Sequence, residues 1–449
     1  MTMDHRHASS RRRRWLAALL LGLPVAVAGV SGTAYAQRAA GDDQKTEQED
    51  AAKKGQVLTE RTFKQVTEAQ KAIEEKRYAQ AQQILDGLLK GELQPYERAI
   101  VLQTMGYVFT EQDNYRRAAE IFEQALALKI LPEAQQHSLL YNLAQLYMAT
   151  DQFQKSLQKF KEWFAVAQNP QAEAYVAYAN VYAQLEDMRS AIPLMEKAIS
   201  MSPNPKKEWY DFILGLYFET KQFTKVADTL ELLISRYPKE KRYYIQLAGI
   251  YSEIKKEKET LAVMELAYKA GHLDKSEELV QLAQLWMYHD VPYRGALLLQ
   301  TNMEKGRIKG TKENWELLAN AWIASREIPK SIDPLRRAAE LSNDGEGFIR
   351  LAQAYLERED WKSAVDALEK GIAKGGLKNQ GSAFLLEGVA SFNLKDLDKA
   401  ERAFTRAAEF SSTARTARQW LTHVEKAQLA EQEKAEQAAA VTPASAPQP

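Results

Sequence analysis

The chain of 449 residues contains no cysteine, which excludes disulfides, thiolate chemistry and a lipid-attachment cysteine at any cleavage point. It carries no net charge, with 60 basic and 60 acidic side chains, and the signs alternate along most of its length. A protein that neutralises many phosphates concentrates Lys and Arg on one surface, so nucleic acid is not an expected partner. Long apolar runs are missing too. The best stretch, Trp15 to Val30, offers 16 residues interrupted by Gly22 and Pro24, short of the roughly 20 that a membrane-spanning helix needs.

Catalytic and metal-binding constellations are equally scarce. His137, His272, His289 and His423 are the only histidines beyond residue 36, and none has a second His at ligand spacing. His289-Asp290 is the single His beside a carboxylate, and it reads as a turn before Pro292. No Gly-x-Ser-x-Gly, phosphate loop or dinucleotide glycine pattern occurs. Gly371, Gly375 and Gly376 follow a helical pattern and read as its C-terminal stop. The expectation is a non-enzymatic protein with no catalytic residue, metal or cofactor.

What is present begins with a targeting pattern. Arg11 to Arg14 form a positive region, Trp15 to Val30 an apolar one, and Ala34-Tyr35-Ala36 a small-x-small cleavage site before Gln37. Residues 1-36 are expected to be a secretory signal peptide, placing the mature protein in the periplasm. Arg12-Arg13-Arg14-Trp15-Leu16 is similar to a twin-arginine signal, but four consecutive arginines generate that match easily, and general secretion is the expectation. Removing this segment takes away five arginines and one aspartate and leaves 55 basic and 59 acidic side chains. Residues 37-60 read as a disordered polar leader.

The main signal is a beat of small residues at intervals of 33 to 38: Ala69, Gly106, Ala144, Ala179, Leu214, Ala248, Ala283, Ala319, Ala352 and Gly388. Only Leu214 is large. Three residues on, eight of the ten positions are aromatic, Tyr147, Tyr217, Trp286 and Trp322 among them. Nine beyond those lies another series of mostly small residues, including Ala81, Ala118, Ala191 and Ala400. Small residues let two helices approach closely, so the unit is a helical hairpin, and a single hairpin is too small to close a core alone.

This pattern resembles the tetratricopeptide repeat, with its period of about 34 residues and its small, aromatic, small signature. Pro203 and Pro238 sit at the family's closing proline, and Trp315, Leu318, Ala319 and Trp322 reproduce its opening helix. The resemblance implies an all-α, TPR-like α-solenoid, a right-handed superhelix of about ten helical hairpins with a C-terminal capping helix. Ala417, Trp420, Leu421, Val424 and Ala427 give that cap one apolar face. Pro193 and Pro334 fall inside second helices and are expected to bend them. Pro292, Gly295, Gly306 and Gly310 mark an expected joint, dividing an N-terminal repeat block, 61-290, from a C-terminal one, 291-411; the cap follows at 412-437 and a disordered tail at 438-449.

The resemblance also implies a protein-protein interaction scaffold whose first helices line a groove. Carried onto this chain, the inward positions give Tyr107, Tyr141, Gln145, Met148, Asn180, Gln184 and Phe218 as partner-binding candidates. Amides can pair with the backbone of an extended segment, and Tyr and Met supply adaptable apolar contact. A clamp for a free C-terminal carboxylate is not expected, because the matching positions hold Val66, Gln103, Tyr141 and Val176 in place of lysine. The whole chain is similar to the periplasmic TPR proteins encoded beside TonB, ExbB and ExbD, with Tyr141 to Tyr147 and Trp209 to Phe212 carrying the likeness. That likeness implies an accessory of TonB-dependent energy transduction and outer-membrane transport in a Gram-negative cell. The alternative is a TPR scaffold for envelope assembly, in outer-membrane protein, polysaccharide or pilus biogenesis.

Overall fold

The computed structural model describes residues 55–441, with side chains through residue 437. The expected signal peptide, its cleavage site and all but the end of the leader lie outside the described residues, as does the end of the tail. Among the described residues every regular element is an α-helix, and they form ten hairpins followed by one longer helix. The hairpins pair α1 (Glu60–Glu74) with α2 (Tyr78–Leu89), α3 (Pro95–Glu111) with α4 (Tyr115–Ala127), and α5 (Glu133–Ala149) with α6 (Phe153–Phe164). Next come α7 (Ala172–Gln184) with α8 (Met188–Met201), α9 (Lys207–Glu219) with α10 (Phe223–Arg236), and α11 (Lys241–Glu253) with α12 (Glu257–Lys269). The series ends with α13 (Ser276–Tyr288) and α14 (Pro292–Glu304), α15 (Lys312–Ala324) and α16 (Ile328–Leu341), α17 (Glu346–Glu357) and α18 (Trp361–Lys374), α19 (Gln380–Asn393) and α20 (Leu397–Ala408), then α21 (Ala414–Val441). The fold is a TPR-like α-solenoid.

The repeat chemistry explains the hairpins. Nine of the ten small positions are buried; Leu214, the large exception, is only half-buried. The close approach is literal at Gly106, where a Cβ would stand 2.2 Å from Cε1 of the buried Phe122 on the facing helix. Seven residues beyond each small position a non-glycine residue adopts left-handed backbone, from Lys76 and Asp113 to Glu359 and Lys395, with φ between 57° and 67°. That residue ends the first helix and turns the chain back. Asn114, Asp187, Asp360 and Asp396 then cap the second helices by accepting from the N3 amides.

The aromatic at the third step of the pattern bolts one hairpin to the last. In the fifth hairpin the Tyr217 hydroxyl donates to Glu196 at 2.7 Å, Lys225 donates to the same oxygen at 2.7 Å, and its ammonium lies 5.1 Å from the Tyr217 ring centre. The seventh hairpin repeats it with Trp286 donating to Glu265 while Arg294 reaches that oxygen at 3.2 Å and lies over the indole. Carboxylate and cation thus satisfy both the polar edge and the π-face of one ring.

The described residues fall into two compact units that divide between Leu233 and Ile234. In the first, a core runs from Val66 through Leu85, Met105 and Phe122 to Tyr147. The leader's end is tied in: Gln56 donates to the Ile130 carbonyl at 2.8 Å, and Thr59 donates through both its amide and its hydroxyl to Glu97 at the start of α3. In the second unit, the expected joint at 290-311 is a stretch where α14, opened by Pro292 at its first turn, packs on both α13 and α15. Helices α8 and α16 run unbroken through Pro193 and Pro334. Helix α21 docks as the apolar face predicts, with Ala417 and Val424 fully buried and Trp420 stacked on Phe404 at 5.4 Å and 9°.

Candidate functional site

The sequence-derived contact residues concentrate on α3, α5 and α7 of the first unit. These helices are unusual for solenoid first helices because they are buried on all faces over long stretches, continuously from Ala99 to Val108, from Asn142 to Met148 and from Val176 to Val181. Tyr107, Gln145, Met148 and Asn180 are 5%, 7%, 4% and 5% exposed, so they are packed into the wall and do not stand out from it. Tyr141 and Gln184 are half-buried, and Phe218 on α9 is 57% exposed, with its ring edge on Phe223. Met148 shares a core cluster with Ala144, Phe160 and Val181, so truncating it reports on folding.

The wall buries amides that are not fully satisfied. Gln103 Oε1, Asn142 Nδ2 and Gln145 Oε1 are enclosed without a hydrogen bond of normal geometry. Burial pushes the Tyr107 hydroxyl's pKa up, opposed by the amides of Gln103 and Asn142, which reach toward it. Burial likewise raises the Tyr141 hydroxyl, with Glu173 adding to the shift and Gln145 opposing it. These amides and the two tyrosine hydroxyls make a polar seam inside the wall.

Beside this polar seam runs a chain of rings. Tyr141 meets Trp163 at 4.9 Å and 43° and Phe160 at 5.9 Å; Phe164 stacks on Tyr178 at 4.9 Å; and Tyr178 continues to Tyr182, their hydroxyls 3.2 Å apart. Where the chain of rings meets the seam an open slot of ≈ 320 Å³ is lined by His137, Ser138, Tyr141 and Asn142 from α5, Trp163 from α6, and Ala167 to Pro170 from the following loop. None of these is Lys, Arg, Asp or Glu.

Sequence reasoning placed Tyr141 at this site but missed Trp163 and Asn142. The signal for Trp163 was available: nineteen residues after the small position six of the other nine hairpins carry Ala125, Ala198, Ala267, Ala338, Gly371 and Ala407, three carry Leu88, Leu233 and Asn302, and only here does a tryptophan stand. Among the described residues no group of His, Asp and Glu is arranged to hold a metal ion, and no helix is long and apolar enough to cross a membrane.

Comparison with known proteins agrees with this geometry at the level of fold. Residues 172–205, covering α7 and α8, match the tetratricopeptide repeat family. No curated protein matches the chain. Among solved structures, a tetratricopeptide repeat protein from Parabacteroides merdae ATCC 43184 is similar at a TM-score of 0.34 and 18% identity, over 58% of this chain and 98% of that one. YrrB, described as a TPR protein with an unusual peptide-binding site, aligns at 0.32 and 13% over 38% of this chain and 86% of its own. The Cut9 and Hcn1 hetero-tetramer of APC/C aligns at 0.26 and 13% over 80% and 89%.

Proposed function

We propose that this TPR protein is a non-enzymatic periplasmic scaffold that captures a protein partner on the first unit, as an accessory of a TonB, ExbB and ExbD energy-transduction system. The observation that carries the binding site is the juxtaposition, on α5 and α6, of orphaned buried amides with an uncharged aromatic slot. A scaffold built only for stability has no use for unpaired amides in its wall. An extended protein segment can pair with the exposed amides of the slot, Gln168 and Asn169, and cover the exposed ring faces. The periplasmic setting rests on the signal-peptide pattern of residues 1–36, and the TonB assignment on the likeness of Tyr141 to Tyr147 and Trp209 to Phe212.

Two measurements test the two halves of this reading. N-terminal sequencing of the protein from fractionated cells should begin at Gln37; a chain retaining Trp15 in the membrane fraction overturns the localisation. Crosslinking in intact cells, with identification of the trapped proteins, should yield TonB, ExbB or ExbD homologues. Recovery of outer-membrane assembly, polysaccharide-export or pilus components in their place overturns the TonB assignment while keeping a scaffold.

A further inference from the structure

Trp163 occupies a place in the repeat where six of the other nine hairpins carry alanine or glycine, the exceptions being Leu88, Leu233 and Asn302. Nineteen residues after the small position, Ala125 and Ala198 in the first unit are fully buried, because there the second helix presses on the next hairpin. At Trp163, α6 packs less closely on α7 than α2 does on α3, α4 on α5 or α8 on α9, although α12, with Ala267 at this place, packs on α13 more loosely still. Beside Trp163 lies the slot it lines with Tyr141, where the tryptophan supplies an aromatic surface next to hydrogen-bonding groups.

We infer that this slot receives an uncharged, proline-bearing segment of a partner protein in the polyproline II conformation. The inference rests on the scaffold reading above and names the chemistry of its ligand. Three observations select that class. The Tyr141 and Trp163 rings adjoin at 4.9 Å and are tilted by 43°, so together they form a shallow angled trough and not a deep pocket for one side chain. Polyproline II has three residues per turn and no internal hydrogen bonds, so it lays proline rings on aromatic surfaces and leaves its carbonyls to be satisfied from outside. The remaining polar lining, Ser138, Asn142, Gln168 and Asn169 among it, is neutral and rich in amide groups able to donate to those carbonyls. With no Lys, Arg, Asp or Glu in the lining, nothing there would neutralise a charged side chain or a free terminus. The segment also arrives nearly preordered, so little conformational entropy is lost on binding to an open slot.

The test is a titration of the folded mature protein, with fluorine-labelled tryptophan, against a blocked peptide of Pro-Pro-Ala repeats. The comparators are the same peptide with proline replaced by serine, and a neutral linear oligosaccharide. The account expects the resonance lost in Trp163→Ala to shift with the proline peptide alone, and the affinity to fall at least tenfold in Trp163→Ala while the melting temperature holds, since alanine stands at this place in five of the other hairpins. Should Trp163→Ala fold poorly, Ala167→Trp fills the slot from the loop and is expected to cause the same loss. Equal binding of the serine peptide, binding of the oligosaccharide in place of the peptide, or no binding of any probe overturns the assignment. Partner trapping in cells that persists while the proline peptide fails would remove the ligand class and leave the scaffold standing.

Discussion

The two compact units run the same repeat with opposite results on the inner positions of their first helices. Directly after the small residue the first unit has Tyr107, Gln145 and Asn180 buried, with Gln70 half-buried and Gly215 exposed at its ends; at the same step the second has Gly249, Gln284, Asn320 and Gln353 exposed and Val389 half-buried. Helices α13, α15 and α17 therefore keep a wet stripe interrupting their apolar residues, and the exposed ends include Tyr288 at 66% and Ile323 at 37%. In the first unit α1 reaches α3 as well as its own partner helix, and the wall is filled. The difference teaches that the repeat signature specifies how hairpins close but leaves open whether the face between them stays wet. Only in the first unit does that face hold buried amides beside a chain of rings.

The core itself should not distinguish the units, which gives the largest expected effect. Tyr147→Ala in the first and Trp322→Ala in the second remove rings that are 2% and 1% exposed, and each should lower stability by roughly 3–5 kcal/mol. Chemical denaturation measures both, and a loss confined to one unit breaks the view that their hairpins close alike. Smaller and of opposite sign are two glycine changes. Gly106→Ala drives a methyl into Phe122 and should destabilise by about 1–3 kcal/mol. Gly249→Ala meets nothing within 4 Å on an exposed helix face and should stabilise by up to about 1 kcal/mol.

Replacing an orphaned amide is nearer to neutral. Asn142→Leu removes a buried unsatisfied group along with its amide, so its stability should stay within about 1 kcal/mol of the parent, yet partner capture should fall because the wall loses a hydrogen-bonding position. A large destabilisation would show that Asn142 is structurally paired. An effect confined to low pH is acid sensitivity at the entry to the first unit. Burial raises the Glu97 carboxyl pKa, but hydrogen bonds from the Thr59 hydroxyl and amide, the Gln94 amide and the Thr62 hydroxyl outweigh it and lower the value from 4.5 to about 2. A depressed folded-state pKa contributes stability that is complete above the unfolded value and is lost as pH falls. The loss should therefore run from about pH 4.5 down to about 2, and Glu97→Gln should flatten thermal-melt profiles across that window.

Much of the fold was legible. Small residues at fixed intervals and rings three residues on mark where helices must touch, and contact chemistry is local enough to be read from spacing. The capping face of α21 and the unbroken α8 and α16 follow from the same periodicities. The site was legible only in part. Tyr141 is half-buried and lines the slot, but Tyr107, Gln145, Met148 and Asn180 were expected to face a partner and are packed inside. Whether an inward position is wet depends on how closely first helices approach each other, and that is set by many side chains at once. Trp163 was visible as a departure from alanine, though its meaning needed the slot beside it.

The most direct test of the central claim is site-specific photocrosslinking in living cells, with the reactive side chain placed in turn at Gln168 beside the slot, at Gln184 on α7 and at Tyr288 in the second unit. The account predicts that Gln168 and Gln184 trap the same protein and that Tyr288 does not. Trapping from Tyr288 with none from Gln168 or Gln184 would contradict it and assign recognition to the open wall of the second unit.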